Sequence, residues 1–203
     1  DELYGGYPWR YYRVFRALNQ NQFFDQYFDF WQRLVSDNDK KDLYQPDIYN
    51  QISLEEPRTI FERVFTFNEK LNYEKPEHHI QNSLYFESKT FLHGLFVVGD
   101  KLSMAHGLEE RFPFMDNDLV DFAQKIPVKH KLGNLEDMKR MDENTYRKKR
   151  KAYIEFDDGK NVLRQAMRDF LPKSILDRKK QGFSAPDESW YRGENAEFVK
   201  EFL

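Results

Sequence analysis

The stretch YRVFRALNQNQFFDQYFDFWQRLV, residues 12–35, decides the fold class of this chain. Its apolar side chains recur every three or four residues, which is the spacing of one face of an α-helix. The polar triplet Asn19-Gln20-Asn21 interrupts the pattern, so the stretch predicts two helices joined there. Alternating β-branched runs are nearly absent from the rest of the chain. The sequence therefore predicts a mainly α-helical fold.

Further helices are predicted from start and stop signals along the first half of the chain. Ser53-Leu54-Glu55-Glu56 has the pattern of a capping box, and Pro57 suits an early helical position. Pro76 opens another segment, in which residues 80–98 are strongly apolar on one side. Gly99-Asp100 is expected to interrupt this apolar stretch.

The second half of the chain is predicted to be more varied. Residues 118–124 read as a short helix, and Asn161 as the start of a helix that Leu171-Pro172 ends. A last helix is predicted at 194–203. Between these elements, residues 133–159 form the most polar region and are expected to be a charged loop or an insertion.

Length and composition indicate a folded protein with an aromatic core. The chain has 203 residues, of which 39% are hydrophobic, and it contains 19 Phe and 12 Tyr. Each buried aromatic side chain removes a large apolar area from water, so these residues can build a core despite the modest apolar share. One domain, or one domain and part of another, fits this length.

Charge and cysteine content exclude several classes of function. The net charge of −3 argues against a general nucleic-acid binder, whose field should be positive. The absence of cysteine excludes disulfides, a thiolate nucleophile and a cysteine-based zinc site. No apolar run approaches the roughly 20 residues of a membrane span. We therefore expect a cytoplasmic protein with neither a nucleic-acid nor a membrane partner.

Three segments contain residue types suited to chemistry, and the first is DELYGGY at residues 1–7. Asp1 is a hard oxygen ligand suited to Mg²⁺ beside the phosphates of a nucleotide. Gly5-Gly6 allow a tight turn or the close approach of the backbone to a ligand. The alternative is a helix start followed by an ordinary turn.

The second segment is GLEERFPFMD at residues 107–116. Glu109 and Arg111 have apolar neighbours in sequence, and buried charges need partners. We therefore expect a buried ion-pair network of Glu109, Arg111 and Asp116, which either supports a site wall or fixes a turn. A structural role is favoured for Asp116.

The third segment is the basic turn Arg178-Lys179-Lys180-Gln181-Gly182-Phe183. A lysine on such a turn can bind phosphate as a point charge, and Phe183 would anchor the turn. A solvated surface loop is the alternative.

Taken in this order, the three segments resemble the asparagine synthetase family. DELYGGY resembles the end of a family motif, GLEERFPFMD its most recognisable internal stretch, and NVLR (161–164) with KQGF (180–183) its C-terminal pattern. The chain is similar to the C-terminal portion of the synthetase domain of glutamine-hydrolysing asparagine synthases over nearly its whole length.

The resemblance implies a fold larger than the helices predicted above. Residues 1–203 would form the C-terminal portion of a doubly wound α/β domain of the PP-loop type, similar to the adenine nucleotide alpha hydrolases. The pyrophosphate-binding loop and the N-terminal glutaminase domain would lie outside this chain. We therefore expect the chain to be inactive by itself.

The resemblance also implies an activity and its ligands. ATP and Mg²⁺ are the expected cofactors, and AMP would be transferred to the side chain of aspartate with release of pyrophosphate. Ammonia, which the protein's own glutaminase domain would release from glutamine, then forms the amide. A homodimer is left open.

Functional residues are carried over by position. The residues expected at the ATP site are Asp1, Glu2, Gly5, Gly6, Arg164 and Lys180. Within this set, Asp1 would bind the metal and Lys180 would be the catalytic residue. Glu109, Arg111 and Asp116 are expected to support the site.

Two alternatives remain open at this point. Many relatives have an Asp-Asp pair where this chain has His93-Gly94, which leaves open an acceptor other than aspartate, such as a polysaccharide, a peptide or a β-lactam precursor. The other alternative is a non-catalytic helical interaction module.

Overall fold

A computed structural model describes residues 1–11, 14–32, 35–37, 39–51, 57–66, 68, 71–133 and 159–178. Within these residues the chain is helical and contains no strand; an isolated antiparallel bridge joins Leu132 and Gly159. The prediction of a mainly α-helical chain is confirmed for this part. None of its helices is long and apolar enough to span a membrane.

The helices of the described residues are numbered in chain order. They are α1 (Pro8–Tyr11), α2 (Gln20–Trp31), α3 (Lys40–Leu43), α4 (Pro46–Gln51), α5 (Pro57–Thr66), α6 (Pro76–Lys89), α7 (Phe91–Met104), α8 (Asn117–Lys125), α9 (Val128–Lys131), α10 (Asn161–Ala166) and α11 (Lys173–Leu176). Short 3₁₀ turns occur at Val14–Arg16 and Pro113–Met115.

Helix α2 confirms the second of the two helices predicted within residues 12–35. The side chain of Asn19 caps it by accepting a hydrogen bond from the backbone N–H of Gln22 at 3.0 Å. The prediction of the first helix was wrong, since a 3₁₀ turn lies at Val14–Arg16. Val14 and Phe15 are both buried there, and a tight turn lets successive side chains pack into the core.

Helices α5 and α6 begin at Pro57 and Pro76, as predicted. The capping box proposed before Pro57 lies outside the described residues. The apolar stretch breaks at Thr90, where the hydroxyl donates to the carbonyl oxygen of Phe86 at 2.8 Å. The expected break at Gly99-Asp100 was wrong, because α7 continues to Met104.

Gly99 lies inside α7 beside the side chain of Glu110. A Cβ atom at Gly99 would lie 2.6 Å from Oε2 of Glu110, which is the end of an exposed side chain that can move aside. A single glycine inside a helix costs only about 1 kcal/mol relative to alanine, so it need not end the helix.

Helices α8 and α10 agree with the predicted starts. Helix α10 begins at Asn161 but ends at Ala166, earlier than the predicted end at Leu171-Pro172. The backbone N–H of Met167 bonds back to Leu163 and Gln165, which tightens the last turn and stops the helix. The helix predicted at 194–203 and the interior of the 133–159 segment lie outside the described residues.

The main core is aromatic and lies between α2, α5 and α6. Its largest members are the buried rings of Tyr11, Phe15, Phe23, Phe24, Tyr27, Phe61, Phe65 and Phe86. A second, smaller core contains Leu3, Tyr4, Ala123 and Ile126, against which Val162 and Leu163 pack. The second core therefore places α8 and α10 against the first residues of the chain, where the candidate site lies.

Candidate functional site

Residues 1–6 form a tight turn. The backbone N–H of Gly6 donates to the carbonyl oxygen of Asp1 at 2.8 Å. Gly5 has a φ of 71°, a value that favours glycine. A Cβ at Gly5 would also lie 2.8 Å from Cδ2 of Leu132. The prediction that Gly5-Gly6 make a tight turn is confirmed.

The start of α10 is bound to this turn through the backbone. A Cβ at Gly159 would lie 2.2 Å from the carbonyl oxygen of Gly5, so the two segments touch only because residue 159 is glycine. The N–H of Lys160 donates to the carbonyl oxygen of Tyr4 at 3.1 Å. Lys160 itself has a φ of 62°, a left-handed conformation that costs energy in a residue with a side chain.

The side chains of Asp1 and Lys160 form an ion pair over Gly6. Their side chains are 19% and 32% exposed, so the pair is partly shielded from water. A Cβ at Gly6 would lie 2.1 Å from Oδ1 of Asp1 and 2.7 Å from Cε of Lys160. Gly6 thus leaves room for both charged groups. Lys160 lies in no motif that pointed to the site from the sequence.

The residues at the turn fit a magnesium ion only in part. Mg²⁺ keeps several waters and uses one or two carboxylates together with phosphate oxygens of the substrate. Asp1 is a suitable ligand for a magnesium ion bound in this way. The ammonium group of Lys160, which is paired with the Asp1 carboxylate, would compete with the metal for it. The side chain of Glu2 is 6% exposed and lies in the interior. In the described ranges, no three His, Cys, Asp or Glu side chains are grouped to hold a metal.

Arg164 on α10 binds backbone carbonyl groups on two sides. Its Nε donates to the carbonyl oxygen of Gly159 at 3.2 Å. Its terminal nitrogens donate to the carbonyl oxygens of Leu176 and, at 3.4 Å, Arg178. Arg164 therefore ties the segment beside the turn to the segment that precedes Lys180, and its predicted contact with ATP stays a prediction.

Lys180, the predicted catalytic residue, lies outside the described residues. Arg178 is the last residue described before it. The catalytic role of Lys180 therefore stays a prediction.

Glu109 and Arg111 form the expected ion pair, but the expectation that it is buried was wrong. Their side chains are 67% and 76% exposed. The apolar neighbours are exposed as well, with Leu108 at 63% and Phe112 at 42%. Asp116 has a local structural role, since its Oδ1 accepts the backbone N–H of Leu119 at 3.1 Å as the N-cap of α8.

Replacing Arg111 with alanine is expected to change the free energy of unfolding by less than about 1 kcal/mol, since exposed ion pairs contribute little. The same change of Asp116 should cost about 1 kcal/mol, because α8 loses its cap. Urea denaturation of both variants measures the difference. A larger loss for Arg111 than for Asp116 would contradict this ranking.

A buried polar network joins α1, α2 and α6 next to the turn. No motif in the sequence predicted this network. Glu87 on α6 is 0% exposed and Arg10 on α1 is 3% exposed. Nη1 of Arg10 lies 3.3 Å from Oε2 of Glu87. The hydroxyls of Tyr27 and Tyr11 donate to the two oxygens of Glu87, at 3.0 and 3.4 Å. Both carboxylate oxygens therefore have partners.

Tyr7 packs against the Arg10 side of this network. The guanidinium carbon of Arg10 lies 3.6 Å from the centre of the Tyr7 ring. Burial, followed by the negative charge of Glu2, raises the pKa of Tyr7 to about 12. Tyr7 therefore remains protonated at neutral pH.

Burial raises the pKa of Glu87 from 4.5 to about 7, and Arg10 opposes this shift. The folded protein thus binds the Glu87 proton more tightly than the unfolded chain does. This contribution to stability is complete below about pH 4.5 and is lost as the pH rises to about 7.

Replacing Glu87 with glutamine should remove this pH dependence. The stability of the wild type relative to Glu87→Gln is expected to fall by roughly 2 kcal/mol between pH 5 and pH 8. Urea denaturation of both proteins at several pH values measures their free energies of unfolding. A difference between the two proteins that stays constant from pH 5 to pH 8 would contradict this prediction.

The whole chain is similar to a known protein family. The asparagine synthase family model matches residues 1–203. Asparagine synthetase [glutamine-hydrolyzing] 1 of Bacillus subtilis is 30% identical over 125 residues, which cover 61% of this chain and 16% of that protein. Asparagine synthetase [glutamine-hydrolyzing] 3 of the same organism is 24% identical over 202 residues, 98% of this chain and 27% of that protein.

A relative with a different name also matches. Amidase chry2 of Gibberella zeae is 25% identical over 139 residues, covering 68% of this chain and 18% of that protein. The chain thus spans less than a fifth of chry2 and of the first Bacillus subtilis synthetase. No solved structure matches the chain significantly. Because the family model matches its whole length, the chain belongs to the asparagine synthase family.

Proposed function

We propose that this chain is part of a synthetase that uses ATP to join ammonia to a carboxylate as an amide. The observation that carries the proposal is the match of the asparagine synthase family to residues 1–203. In the proposal, the full-length protein completes a doubly wound α/β domain with a PP-loop and has a glutaminase domain. The chain spans only a small part of the length of these relatives. This supports the proposal that the PP-loop and the glutaminase domain belong to other parts of the full-length protein.

The proposed reaction has two steps. A carboxylate oxygen of the substrate attacks the α-phosphorus of ATP, and pyrophosphate leaves with the electrons of the broken P–O bond. The lone pair of ammonia then attacks the acyl carbon, AMP leaves, and the nitrogen loses a proton. Transfer at phosphorus requires positioning and charge neutralisation more than covalent help from the protein.

The turn and α10 supply groups suited to the first step. Asp1 is the candidate metal ligand, and a bound Mg²⁺ would neutralise phosphate charge. The ion pair keeps the ammonium group of Lys160 beside Asp1, and this positive charge would also favour a phosphate group bound at the turn. Arg164 holds the backbone that leads to the predicted catalytic Lys180.

Aspartate is the proposed acceptor, with glutamine as the source of ammonia. Two relatives named as glutamine-hydrolysing asparagine synthetases support this choice. The similarity to amidase chry2 favours a second candidate, in which the same adenylation acts on another carboxylate. His93-Gly94, the departure noted in the sequence, also favours it.

ATP–pyrophosphate exchange by the full-length protein tests the proposal. Exchange that requires aspartate would support asparagine synthesis, and exchange with another carboxylate would support the second candidate. Folded protein that exchanges with none of a broad carboxylate panel in the presence of Mg²⁺ would contradict adenylation and favour a non-catalytic helical module.

Lys180→Ala in the full-length protein is expected to lower kcat about 100-fold or more, by analogy with the loss of other groups that stabilise transition-state charge. Lys173, whose side chain is 89% exposed on α11, provides a matched control. Lys173→Ala should retain wild-type turnover. Equal turnover of the wild type and Lys180→Ala would exclude the proposed role.

A further inference from the structure

Helix α7 is strongly apolar, yet most of it is exposed to water. Its sequence, FLHGLFVVGDKLSM, contains a single acidic residue and a single lysine, but Leu92 is the only one of its 14 residues that is buried. A helix that is apolar around most of its circumference is normally enclosed by other elements. The described part of the chain therefore leaves α7 without the apolar cover that its composition predicts.

The exposed apolar side chains of α7 include a continuous stripe. Leu95, Val98 and Leu102 recur at intervals of three and four residues, which places them on the same side of the helix. They are 49%, 57% and 65% exposed, and we call these three side chains the α7 face. Single apolar side chains are normal on a protein surface, whereas a contiguous group marks a surface that another element contacts.

The segment that follows α7 widens this apolar surface. It returns alongside the helix, because the Phe112 ring packs on that of Phe96 with centres 4.4 Å apart. Leu108 and Phe114 in this segment are 63% and 54% exposed. Two neighbouring elements thus expose large apolar side chains to water together.

Gly94 gives a second indication that another element packs here. It precedes Val98 by four residues and so lies on the side of the α7 face. In the part of the chain that the structure describes, no atom lies within 4 Å of a Cβ placed at Gly94. Nothing in the described packing requires glycine, which costs about 1 kcal/mol relative to alanine inside a helix. A backbone that approaches the helix closely would explain it.

We infer that the α7 face is an internal contact of the full-length protein, covered by an apolar element of the synthetase domain that lies outside residues 1–203. The inference rests on the part of the proposed function in which the full-length protein completes that domain. The length of the relatives supports it, because a match over 98% of this chain spans only 27% of the second Bacillus subtilis synthetase. Most of such a protein is available to cover the face.

A second copy of the chain is the competing occupant. Association of two molecules costs translational and rotational freedom, which a contact within one folded chain does not lose again. A face covered within the chain also leaves no large apolar patch that promotes aggregation. Both arguments favour a cover from the same chain.

Hydroxyl-radical footprinting of the full-length wild type tests the inference without any substitution. Leu95 on α7 and Ile60 on α5 are matched aliphatic side chains, since each is 49% exposed within this chain. Leu95 is expected to be oxidised several-fold more slowly in the folded protein than in a tryptic digest, while Ile60 stays reactive. A reactive Leu95 would overturn the inference.

Photo-crosslinking identifies what covers the face. With p-benzoylphenylalanine in place of Leu102, the full-length protein is expected to form a crosslink to a peptide of the same molecule outside residues 1–203, which mass spectrometry identifies. The same probe at Ile60 is the control and should give no such crosslink. Crosslinks confined to residues 1–203, or crosslinks that join two molecules in a band of doubled mass, would overturn the inference.

ATP–pyrophosphate exchange reports separately on the proposed function. A protein that catalyses the exchange but has a reactive Leu95 would retain the proposed function and overturn the inference. A protein with a protected Leu95 and the expected crosslink, but without exchange, would support the inference and contradict adenylation.

Discussion

Arg10→Ala is expected to lower the free energy of unfolding by about 3–5 kcal/mol at pH 8, where Glu87 is charged. Arg10 is 3% exposed and its partner Glu87 is 0% exposed. Removing the guanidinium leaves a buried negative charge with no cation. It also removes the group that lies 3.6 Å from the Tyr7 ring centre and 4.7 Å from that of Phe91.

Urea denaturation at pH 8 measures this loss. Arg168→Ala is a suitable control, because Arg168 is exposed and the change should stay within about 0.5 kcal/mol. The double variant Arg10→Met, Glu87→Gln should recover much of the loss, since replacing both charges leaves neither one unpaired. A loss below about 1 kcal/mol for Arg10→Ala would contradict the importance assigned to the buried pair.

Phe23→Ala is expected to cost about 3–5 kcal/mol, because it removes a large side chain from the main core. Phe23 is 0% exposed. Its ring stacks on Tyr27 and His79, with centres 5.4 Å apart in both pairs, and meets Phe65 edge to face at 5.6 Å. Neighbours on α2, α5 and α6 would all lose contacts, and they cannot close the cavity without moving whole helices.

Phe170→Ala makes the same chemical change at a side chain that is 77% exposed. Its effect should stay within about 0.5 kcal/mol. Thermal denaturation of both variants compares them directly. Similar melting temperatures would mean that the aromatic cluster of α2, α5 and α6 is not the centre of the core.

The helices were predictable where local signals set their ends. Asn19, Pro57 and Pro76 act within one turn of the chain, and the structure places a helix start at each of them. The break at Thr90 and the continuous helix through Gly99 were missed. A lone glycine is a weak stop signal, because it costs only about 1 kcal/mol relative to alanine within a helix.

The site was predictable only where its residues are close in sequence. Asp1, Gly5 and Gly6 make a turn among themselves, so their pattern was sufficient to predict it. Lys160 is far from Asp1 in sequence, and Glu87 is also distant in sequence from Arg10. A single sequence gives no sign of such pairings, because each depends on how α6 and α10 pack.

Glu109 and Arg111 illustrate the opposite error. Apolar neighbours in sequence suggested burial, yet Leu108 and Phe112 are themselves exposed. Apolar residues in the sequence indicate burial only when their segment faces the core. The segment that contains Glu109 and Arg111 follows the end of α7 and does not face the core. Removing one partner of this exposed pair therefore costs less stability than removing one partner of a buried pair would.

The bridge between Leu132 and Gly159 has a consequence for how sequence length can vary in this family. It places the two ends of the intervening segment side by side. The entropic cost of closing a flexible loop grows only with the logarithm of its length, by about 0.6 kcal/mol for each doubling. If the residues between them form the loop expected from the sequence, insertions or deletions there would change the free energy of folding little, while Lys160 stays against the turn.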